Sequence, residues 1–352
     1  MEPQFKDSSH VVPQDWMRLA EHLRKHGHDL DLAEPPRQFA SGFGNLNYLV
    51  AVDGAPAVLR RPPLGPIPPG ANDMARESRI LSRLGQAFPL APRCLHAHLE
   101  DDVLGAPFFI MEYRPGLVIG GTLPEALATR SDIGAHIAET LVETLAGLHA
   151  IDAAAVDLET LGRPAGFMAR TRAGWAKRAR LAWEAAPPPV LGEVLDWLEA
   201  RPVDDAAPTL LHNDFKLDNM ILDVETLAPV AVIDWDMGTR GDPLYDLAVL
   251  LSYWTEAGDP PAMHRLNQMP TAGHGFPTRK AVAEAYARRT GRTLAEFKVH
   301  RVLAILRLAV VFMQLNRRYR EGGTDDPRFA GFGDLADGLL DFARAVANDE
   351  SF

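Results

Sequence analysis

The chain changes from strand-like to helix-like patterning near residue 114, and this change limits the folds open to it. The earlier part carries short apolar runs separated by Gly, Pro and Asn, which are typical of strands and turns. After residue 123 the apolar residues recur at helical spacing, as in Ile137, Leu141 and Leu145. We therefore predict an α+β protein with a small strand-rich lobe, residues 1–113, and a larger helical lobe, residues 114–352.

The strand-rich part also contains two predicted helices. Residues 15–25 place apolar side chains three and four positions apart, as on one face of a helix. Residues 37–52 are typical of two strands around a turn rich in Gly and Asn, and residues 57–60 of another strand. A Pro-rich loop then leads into a helix at 73–84, and the apolar run 108–112 predicts a strand.

Two short apolar segments interrupt the helical part, and each runs directly into residues rich in Asp and Asn. These segments lie at 209–211 and 229–233. Polar loops on a rigid scaffold are where catalytic residues concentrate. Farther along, residues 297–320 predict a long buried helix, and the stretch 259–277, which contains Gly, Pro and His, is interpreted as a surface loop able to cover a substrate.

Charge and cysteine content limit the partners of the chain. It has 36 Lys and Arg against 47 Asp and Glu, and the net charge of -11 disfavours nucleic acid and anionic membranes as partners. The single cysteine, Cys94, excludes an intramolecular disulfide and a multi-cysteine zinc site. Residues 1–12 lack the basic and apolar pattern of a signal peptide, so we expect a cytoplasmic location.

The two polar loops carry the residues with the clearest chemical meaning. The first contains His212, Asp214 and Asn219, and the second contains Asp234 and Asp236. Phosphoryl transfer requires a carboxylate that accepts the proton of the attacking hydroxyl. It also requires oxygen ligands for the Mg²⁺ ions that neutralise the phosphates. A lone Asp at a strand end is more often a turn residue, but the two loops together can meet both requirements.

The order and spacing of these loops resemble a known family. The motif H-N-D-x-x-x-x-N at 212–219, followed by I-D-W-D at 233–236 and G-D-P-L-Y-D-L-A at 241–248, resembles the aminoglycoside phosphotransferase and choline kinase-like superfamily. The resemblance implies a two-lobed, protein-kinase-like fold. It also implies ATP and Mg²⁺ as cofactors and a hydroxyl of a small molecule as the phosphate acceptor.

The resemblance assigns roles in the second lobe residue by residue. Asp214 corresponds to the catalytic base, and His212 to a residue that orients the catalytic loop. Asn219 and Asp234 correspond to the metal ligands. The G-D-P motif contributes Asp242 and Asp246, which we predict to brace the catalytic loop and a helix start rather than to react.

Two further residues of these motifs have more than one interpretation. Lys216 either steadies the transferred phosphate or is simply solvated, and we assign it to catalysis. Asp236 either contacts a second metal ion or faces solvent, and we assign it to metal binding.

The same resemblance assigns nucleotide-binding positions in the first lobe. A Gly-rich turn can place backbone N–H groups over phosphates, and it contains Gly42, Gly44 and Asn45. Met111 and Glu112 fall where the backbone of kinase-like folds meets the adenine ring.

Arg60 stands where the family has a phosphate-binding lysine. Arginine keeps the positive charge, but it is longer and planar, so its geometry toward phosphate differs. Glu77 falls at the position of the glutamate that pairs with that cation, and we predict an Arg60–Glu77 ion pair. The absent lysine keeps a second function open, that of a nucleotide-binding regulatory pseudokinase.

Four segments indicate which branch of this superfamily the chain resembles. They are V-L-R-R-P-P-L-G at 58–65, A-R-E-S-R-I-L at 75–81, M-E-Y-R-P-G at 111–116 and the catalytic loop at 212–219. Their combination resembles the phosphotransferase branch related to domains fused to acyl-CoA dehydrogenases, which implies a hydroxyacyl-CoA acceptor. An aminoglycoside-type antibiotic kinase is an alternative. A protein kinase is disfavoured because no A-P-E-like element follows Asp234.

The remaining histidine and aromatic residues receive simpler interpretations. The pairs His26-x-His28 and His96-x-His98 lack a cysteine or carboxylate cluster at a familiar metal-site spacing, so we predict surface histidines rather than a metal site. Tyr253 is predicted to pack in the core of the second lobe or to line an acceptor pocket.

Overall fold

A computed structural model describes residues 4–40, 44–65, 72–184, 186–323 and 326–352. The chain forms two compact units. The first unit comprises Met1–Val118, Ala154–Glu159 and Met220–Gly238, and the second comprises Ile119–Ala153, Thr160–Asn219 and Thr239–Phe352.

The strands are short and most of them belong to the first unit. In chain order they are β1 (Leu30–Asp31), β2 (Arg37–Gln38), β3 (Leu46–Val52), β4 (Ala55–Arg61), β5 (Cys94–His98), β6 (Phe108–Glu112), β7 (Leu117–Val118), β8 (Thr209–Leu211), β9 (Met220–Leu222), β10 (Pro229–Val232) and β11 (Thr239–Gly241).

The helices lie mostly in the second unit. They are α1 (Trp16–Lys25), α2 (Met74–Leu84), α3 (Glu125–Ala128), α4 (Ile133–His149), α5 (Phe167–Ala182), α6 (Pro189–Glu199), α7 (Pro243–Ser252), α8 (Pro261–Leu266), α9 (Arg279–Thr290), α10 (Phe297–Arg320) and α11 (Phe332–Ala347). Short 3-10 turns occur at Ser8–His10, Leu217–Asn219, Trp235–Met237 and Pro327–Gly331.

An antiparallel sheet forms the body of the first unit. Its strand order is β1-β3-β4-β6-β5, and β2 also pairs with β3. Strand β3 alternates in burial, because every second side chain, such as Tyr48 and Val50, faces the core while the others face outward. Helix α1 packs Leu19 and Leu23 into the same core. This sheet positions the end of β4, where Arg60 lies.

A second sheet of three strands, in the order β10-β9-β7, also belongs to the first unit. Its strands β9 and β10 come from residues 220–238, which the sequence alone placed with the helical lobe; they join the first unit because β9 pairs with β7. Gly116, just before β7, approaches β9 so closely that a Cβ there would lie 2.6 Å from the carbonyl oxygen of Leu222. Only glycine fits that contact.

Helix α10 is the core helix of the second unit. It packs against α5, α6, α7 and α11. Among the described residues it is the helix long and apolar enough to cross a membrane, but 78% of its apolar window is buried inside the protein. Its apolar surface is therefore used for packing within the unit.

The strand-rich first lobe and helix-rich second lobe predicted from the sequence are confirmed. The predicted helices at 73–84 and 297–320 and the predicted strand at 108–112 are all present. The interpretation of 259–277 as one surface loop was wrong in part, because α8 forms there and buries Met263 and Leu266. The proline at its first position is a helix-start signal that we did not use.

Candidate active site

In the second unit, the buried carboxylate of Asp246 anchors the loop that contains His212 and Asp214. Strand β8 leads into the loop at His212. Asp246 of α7 accepts hydrogen bonds from the backbone N–H groups of His212 and Asn213, each at 2.8 Å. Asn213 has a φ of 63°, a left-handed conformation that Asn tolerates. The loop is therefore fixed to α7 through its backbone.

Asp246 is itself held by a buried network. His149 Nε2 lies 3.1 Å from the Asp246 carboxylate, and His149 Nδ1 lies 2.6 Å from the hydroxyl of Tyr286. Burial opposes the charge of Asp246, but its hydrogen bonds, above all the one from His149, outweigh burial and lower the pKa of this carboxyl. Asp242 accepts from the N–H of Leu244 and so caps α7. The predicted bracing role of Asp242 and Asp246 is confirmed.

The side chain of Asp214 is oriented by three neighbours in the second unit. Its Oδ1 accepts from the hydroxyl of Tyr253 at 2.9 Å and from Arg307 Nη2 at 3.2 Å. The amide of Asn219 donates to the backbone oxygen of Asp214 at 2.9 Å and lies 3.4 Å from Oδ2. The Asp214 side chain is 20% exposed, so it remains accessible to an acceptor hydroxyl.

The sequence did not reveal the roles of Arg307 and Tyr253. Burial raises the pKa of Tyr253 well above its usual value, and the nearby Asp214 adds to this, so the hydroxyl stays a donor. Burial opposes the charge on Arg307, but Tyr253 and Asp214 outweigh it and raise the pKa of Arg307. The missed signal was an arginine within the apolar run of α10, because a buried arginine needs a partner.

Two other predicted residues lie in the same loop. The imidazole Nδ1 of His212 accepts from the backbone N–H of Asp214 at 3.3 Å, and the ring is fully buried. Lys216 forms an ion pair with Asp218 at 2.6 Å, and its ammonium lies 5.7 Å from the ring centre of Tyr253. His212 thus positions the backbone of the loop, while Lys216 is tied to a carboxylate of the same loop.

The first unit contains the ion pair predicted from the sequence. Arg60 Nε donates to Glu77 Oε2 at 2.8 Å, and both side chains are almost completely buried. Arg60 Nη2 also donates to Asp234 Oδ1. The guanidinium therefore joins β4, α2 and the turn after β10, a bridge that the point charge of a lysine could not make in the same way.

Burial and charge compete in this ion pair. Burial raises the pKa of Glu77 to about 7, although the neighbouring Arg60 opposes the shift. For Arg60, burial opposes the charge, but Glu77 and Asp234 outweigh it and raise the pKa of the guanidinium. Glu77 Oε1 also accepts from the backbone N–H of Trp235 at 3.2 Å, which anchors the turn that carries Asp234.

Asp234 has the geometry of a residue held in place for function. Its φ of 67° and ψ of 58° are left-handed, a conformation that costs free energy in a residue other than glycine. Its side chain is 42% exposed although Arg60 donates to it. An exposed carboxylate oxygen is a ligand that Mg²⁺ prefers, so the donor chemistry of Asp234 fits that ion.

Asp236 contacts the start of α2. Its carboxylate accepts from the backbone N–H groups of Asn72 at 3.2 Å and Asp73 at 3.0 Å, and Arg76 Nη2 lies 3.4 Å away. The structure thus shows an anchoring role for Asp236. Its assignment to metal binding stays a prediction.

The glycine-rich turn that we assigned to nucleotide binding is described only in part, and its described residues make ordinary contacts. Gly42 lies outside the described residues. A Cβ on Gly44 would meet only the Asn72 amide, at an ordinary 3.4 Å, and the Asn45 amide contacts that same residue at 2.8 Å.

Met111 and Glu112 end strand β6. Met111 is buried between β4 and β5. The N–H of Glu112 already donates to the carbonyl of Arg93 at 3.0 Å, and its carboxylate accepts from Arg114 at 2.7 Å. The N–H of Glu112 is therefore occupied by the protein itself.

The structure thus gathers the predicted residues into two sets, each within one unit. The set in the second unit consists of His212, Asp214, Lys216 and Asn219. The set in the first unit consists of Asn45, Arg60, Glu77, Asp234 and Asp236.

Comparison with known protein families shows to which family a chain with these two sets of residues belongs. The model of the phosphotransferase enzyme family matches residues 36–299, well over half of the chain. The chain belongs to this family. The matched region of the phosphotransferase includes both sets of residues.

Relatives of this phosphotransferase include much longer proteins. Mouse acyl-CoA dehydrogenase family member 10 is 27% identical over 318 residues, which are 90% of this chain but 29% of the relative. The curated relatives it matches include member 11 from the same organism, of which the chain covers 41%. The chain thus spans less than half of the length of these relatives.

Solved structures confirm the kinase-like fold of the phosphotransferase. An aminoglycoside phosphotransferase-type protein from Ralstonia eutropha JMP134 superposes with a TM-score of 0.78 at 22% identity, covering 96% of this chain and 99% of that protein. The aminoglycoside phosphotransferase APH(4)-Ia, in a ternary complex with AMP-PNP and hygromycin B, gives a TM-score of 0.56 at 17% identity, covering 92% and 98%. At these identities the likeness establishes the fold alone.

Proposed function

We propose that this phosphotransferase moves the terminal phosphoryl group of ATP to a hydroxyl of a small molecule, with Mg²⁺ as cofactor. The observation that carries the proposal is the environment of Asp214. Its carboxylate is accessible and is oriented by Tyr253, Arg307 and Asn219, on a loop anchored to the buried Asp246. A carboxylate held in this way is suited to accept a proton from an alcohol.

In the proposed reaction the acceptor oxygen forms a bond to the terminal phosphorus, and the bond from that phosphorus to the bridging oxygen of ADP breaks. The hydroxyl proton passes to the carboxylate of Asp214. Tyr253 and Arg307 keep that carboxylate in one orientation, because both donate to the same oxygen, Oδ1. Lys216, which is mostly buried in the same loop, is placed to offset negative charge on the transferred group.

The first unit supplies the proposed nucleotide-binding groups. Arg60 carries a permanent positive charge for the phosphates, and Asp234 offers an exposed carboxylate for Mg²⁺. In the second unit, Asn219 is a further residue that we assign to metal binding. When bound, Mg²⁺ neutralises phosphate charge. The binding of AMP-PNP by APH(4)-Ia, which shares the fold, supports nucleotide use here.

For the acceptor we propose a hydroxyacyl-CoA. The support is that the curated relatives are acyl-CoA dehydrogenase family members. A cavity of about 380 Å³ in the second unit, lined in part by Thr255, His264 and His274, is a candidate acceptor pocket. Its described lining residues include neither a carboxylate, which a cationic aminoglycoside would need, nor a Lys or Arg for the phosphates of CoA.

One observation favours a second candidate function, a nucleotide-binding regulatory pseudokinase. Arg60 replaces the family lysine and donates directly to Asp234, the proposed metal ligand. An arginine fixed in this way competes with the metal for the same carboxylate. ATP binding of ordinary strength without turnover of any acceptor would favour this function over catalysis.

Both candidates are tested by Mg²⁺-dependent ATP consumption with hydroxyacyl-CoAs, choline, sugars and aminoglycosides as acceptors. We expect an acceptor-dependent rate that Asp214→Asn lowers by about a hundredfold or more, because the variant cannot accept the proton. Asp196→Asn, at an exposed position of α6 in the same unit, is the matched control and should keep the wild-type rate. An unchanged rate in Asp214→Asn would show that Asp214 is not the base.

A further inference from the structure

The first unit gathers five histidines that the sequence presents as separate residues. His22 lies in the last part of α1 and His26 is the C-cap residue of that helix, and the centres of their rings are 4.3 Å apart. His96 and His98 alternate along β5 and share a face of that edge strand. His28 follows α1. The sequence predicted surface histidines, and the fold in addition brings them together, because the ring of His22 packs against the rings of His96 and His98.

Three of these histidines place nitrogen atoms at a spacing suited to one metal ion. The ligand nitrogens of His22, His26 and His96 all lie within 4.8 Å of one another. The Nε2 atoms of His22 and His96 are 2.9 Å apart. Zinc–nitrogen bonds of about 2.0 to 2.1 Å at tetrahedral angles separate two ligand nitrogens by roughly 3.3 Å. That value lies between the 2.9 Å separation of His22 and His96 and the 4.8 Å limit for all three nitrogens.

A neighbouring carbonyl leaves the lone pair that His26 needs for metal binding available. His26 Nδ1 lies 2.9 Å from the backbone oxygen of His22, so Nδ1 carries the proton and Nε2 keeps a lone pair. A hydrogen bond of this kind from a ligating histidine to a carbonyl also fixes the orientation of the ring.

The other two histidines of the cluster are paired with carboxylates. His98 Nε2 lies 2.5 Å from Asp102, and His28 Nδ1 lies 2.7 Å from Asp53. Both carboxylates add negative charge beside the cluster without occupying the nitrogens of His22, His26 and His96.

Burial disfavours protonation of two imidazoles in the cluster. Burial, together with the surrounding histidines, lowers the pKa of His96 to about 4. Burial also lowers the pKa of His22. Metal ions bind the unprotonated form of imidazole.

We propose that His22, His26 and His96 form a binding site for a divalent transition-metal ion, with Zn²⁺ as the ion of choice. Imidazole nitrogens suit Zn²⁺, Cu²⁺ and Ni²⁺, whereas Mg²⁺ and Ca²⁺ require oxygen ligands. Three protein ligands leave a fourth position for water. The ion joins α1 to the edge strand β5 and so secures the N-terminal helix to the sheet. The ligands of this site are imidazole nitrogens, whereas Asp234 offers a carboxylate oxygen to the proposed Mg²⁺.

The proposal is tested with full-length protein freed of metal by a chelator. Zn²⁺ is then added in competition with a chromophoric chelator, and the melting temperature is measured with and without Zn²⁺. We expect one Zn²⁺ per chain and a higher melting temperature in its presence. His26→Gln should weaken Zn²⁺ binding by about tenfold or more and remove the temperature shift. Because His26 is exposed, this variant should fold normally.

Control variants distinguish the three proposed ligand histidines from other histidines of the same unit. His28→Gln and His10→Gln, which change histidines of the same unit outside the ligand set, should bind Zn²⁺ like the wild type. His26→Cys should retain binding, since a thiolate also ligates Zn²⁺. The proposal is overturned if the wild type binds no Zn²⁺, if His26→Gln binds it unchanged, or if His28→Gln loses it equally.

Discussion

The carboxylate of Asp214 depends on residues far along the chain. Tyr253 and Arg307, which donate to it, lie 39 and 93 positions further on. Arg60 shows the same dependence in the first unit, because it contacts Glu77 and Asp234 at separations of 17 and 174 positions. At the scale of residues, Asp214 and Arg60 are thus held by partners that their local sequence does not specify.

Removing the cation beside Asp214 should impair catalysis without impairing nucleotide binding. Arg307→Met keeps the apolar length of the side chain but leaves the carboxylate with fewer donors. We expect kcat to fall by about tenfold to a hundredfold while KM for ATP stays unchanged, since Arg307 positions the base. Steady-state kinetics check this, with Arg317→Met at an exposed site on the same helix as control. A rise in KM for ATP with unchanged kcat would contradict the assigned role.

The buried carboxyl of Glu77 should make stability depend on pH. Burial raises its pKa from 4.5 to about 7. Because the folded-state pKa is the higher one, the stabilising contribution is fully present below pH 4.5 and is lost as the pH rises through 7. Glu77→Gln cannot titrate, so the wild type should lose up to about 3 kcal/mol relative to it across this window. Urea midpoints measured between about pH 5 and pH 8 check this, and parallel curves for the two proteins would refute it.

At the scale of elements, periodicity and turn residues predicted the regular structure well. Helix α10 and strand β6 have the predicted bounds. Short strands such as β9 and β11 were not predicted, because three residues carry too little pattern. Helix α8 was missed because a Gly- and Pro-rich composition was weighted above its buried apolar residues.

The link between α7 and the catalytic loop should be essential to the second unit. Asp246→Asn places an amide where three donors converge, so at least one of those donors loses its acceptor. We expect a loss of about 3 kcal/mol in the free energy of unfolding, as for other broken buried ion pairs, together with loss of activity. Thermal and urea unfolding check this against the exposed Asp196→Asn. Wild-type stability in Asp246→Asn would show that the network is dispensable.

At the scale of the whole molecule, the acidic composition limits how the protein can bind a phosphate-bearing ligand. A net charge of -11 means that any phosphate-bearing ligand must be met by local positive charge. In the proposed reaction, Arg60 in the first unit and Lys216 in the second provide such charges. The family match spans parts of both units, and the proposed reaction draws on residues from each.

The sequence by itself determined the two lobes, most of the longer elements and the motifs that carry Asp214, Asn219 and Asp234, because periodicity and motif spacing are local properties of the chain. Only the tertiary structure decided which side chains orient Asp214, that Arg60 contacts Asp234, and that His22, His26 and His96 converge. These contacts join residues distant in sequence. They arise from the packing of helices and strands against one another, and no local pattern specifies which faces will meet.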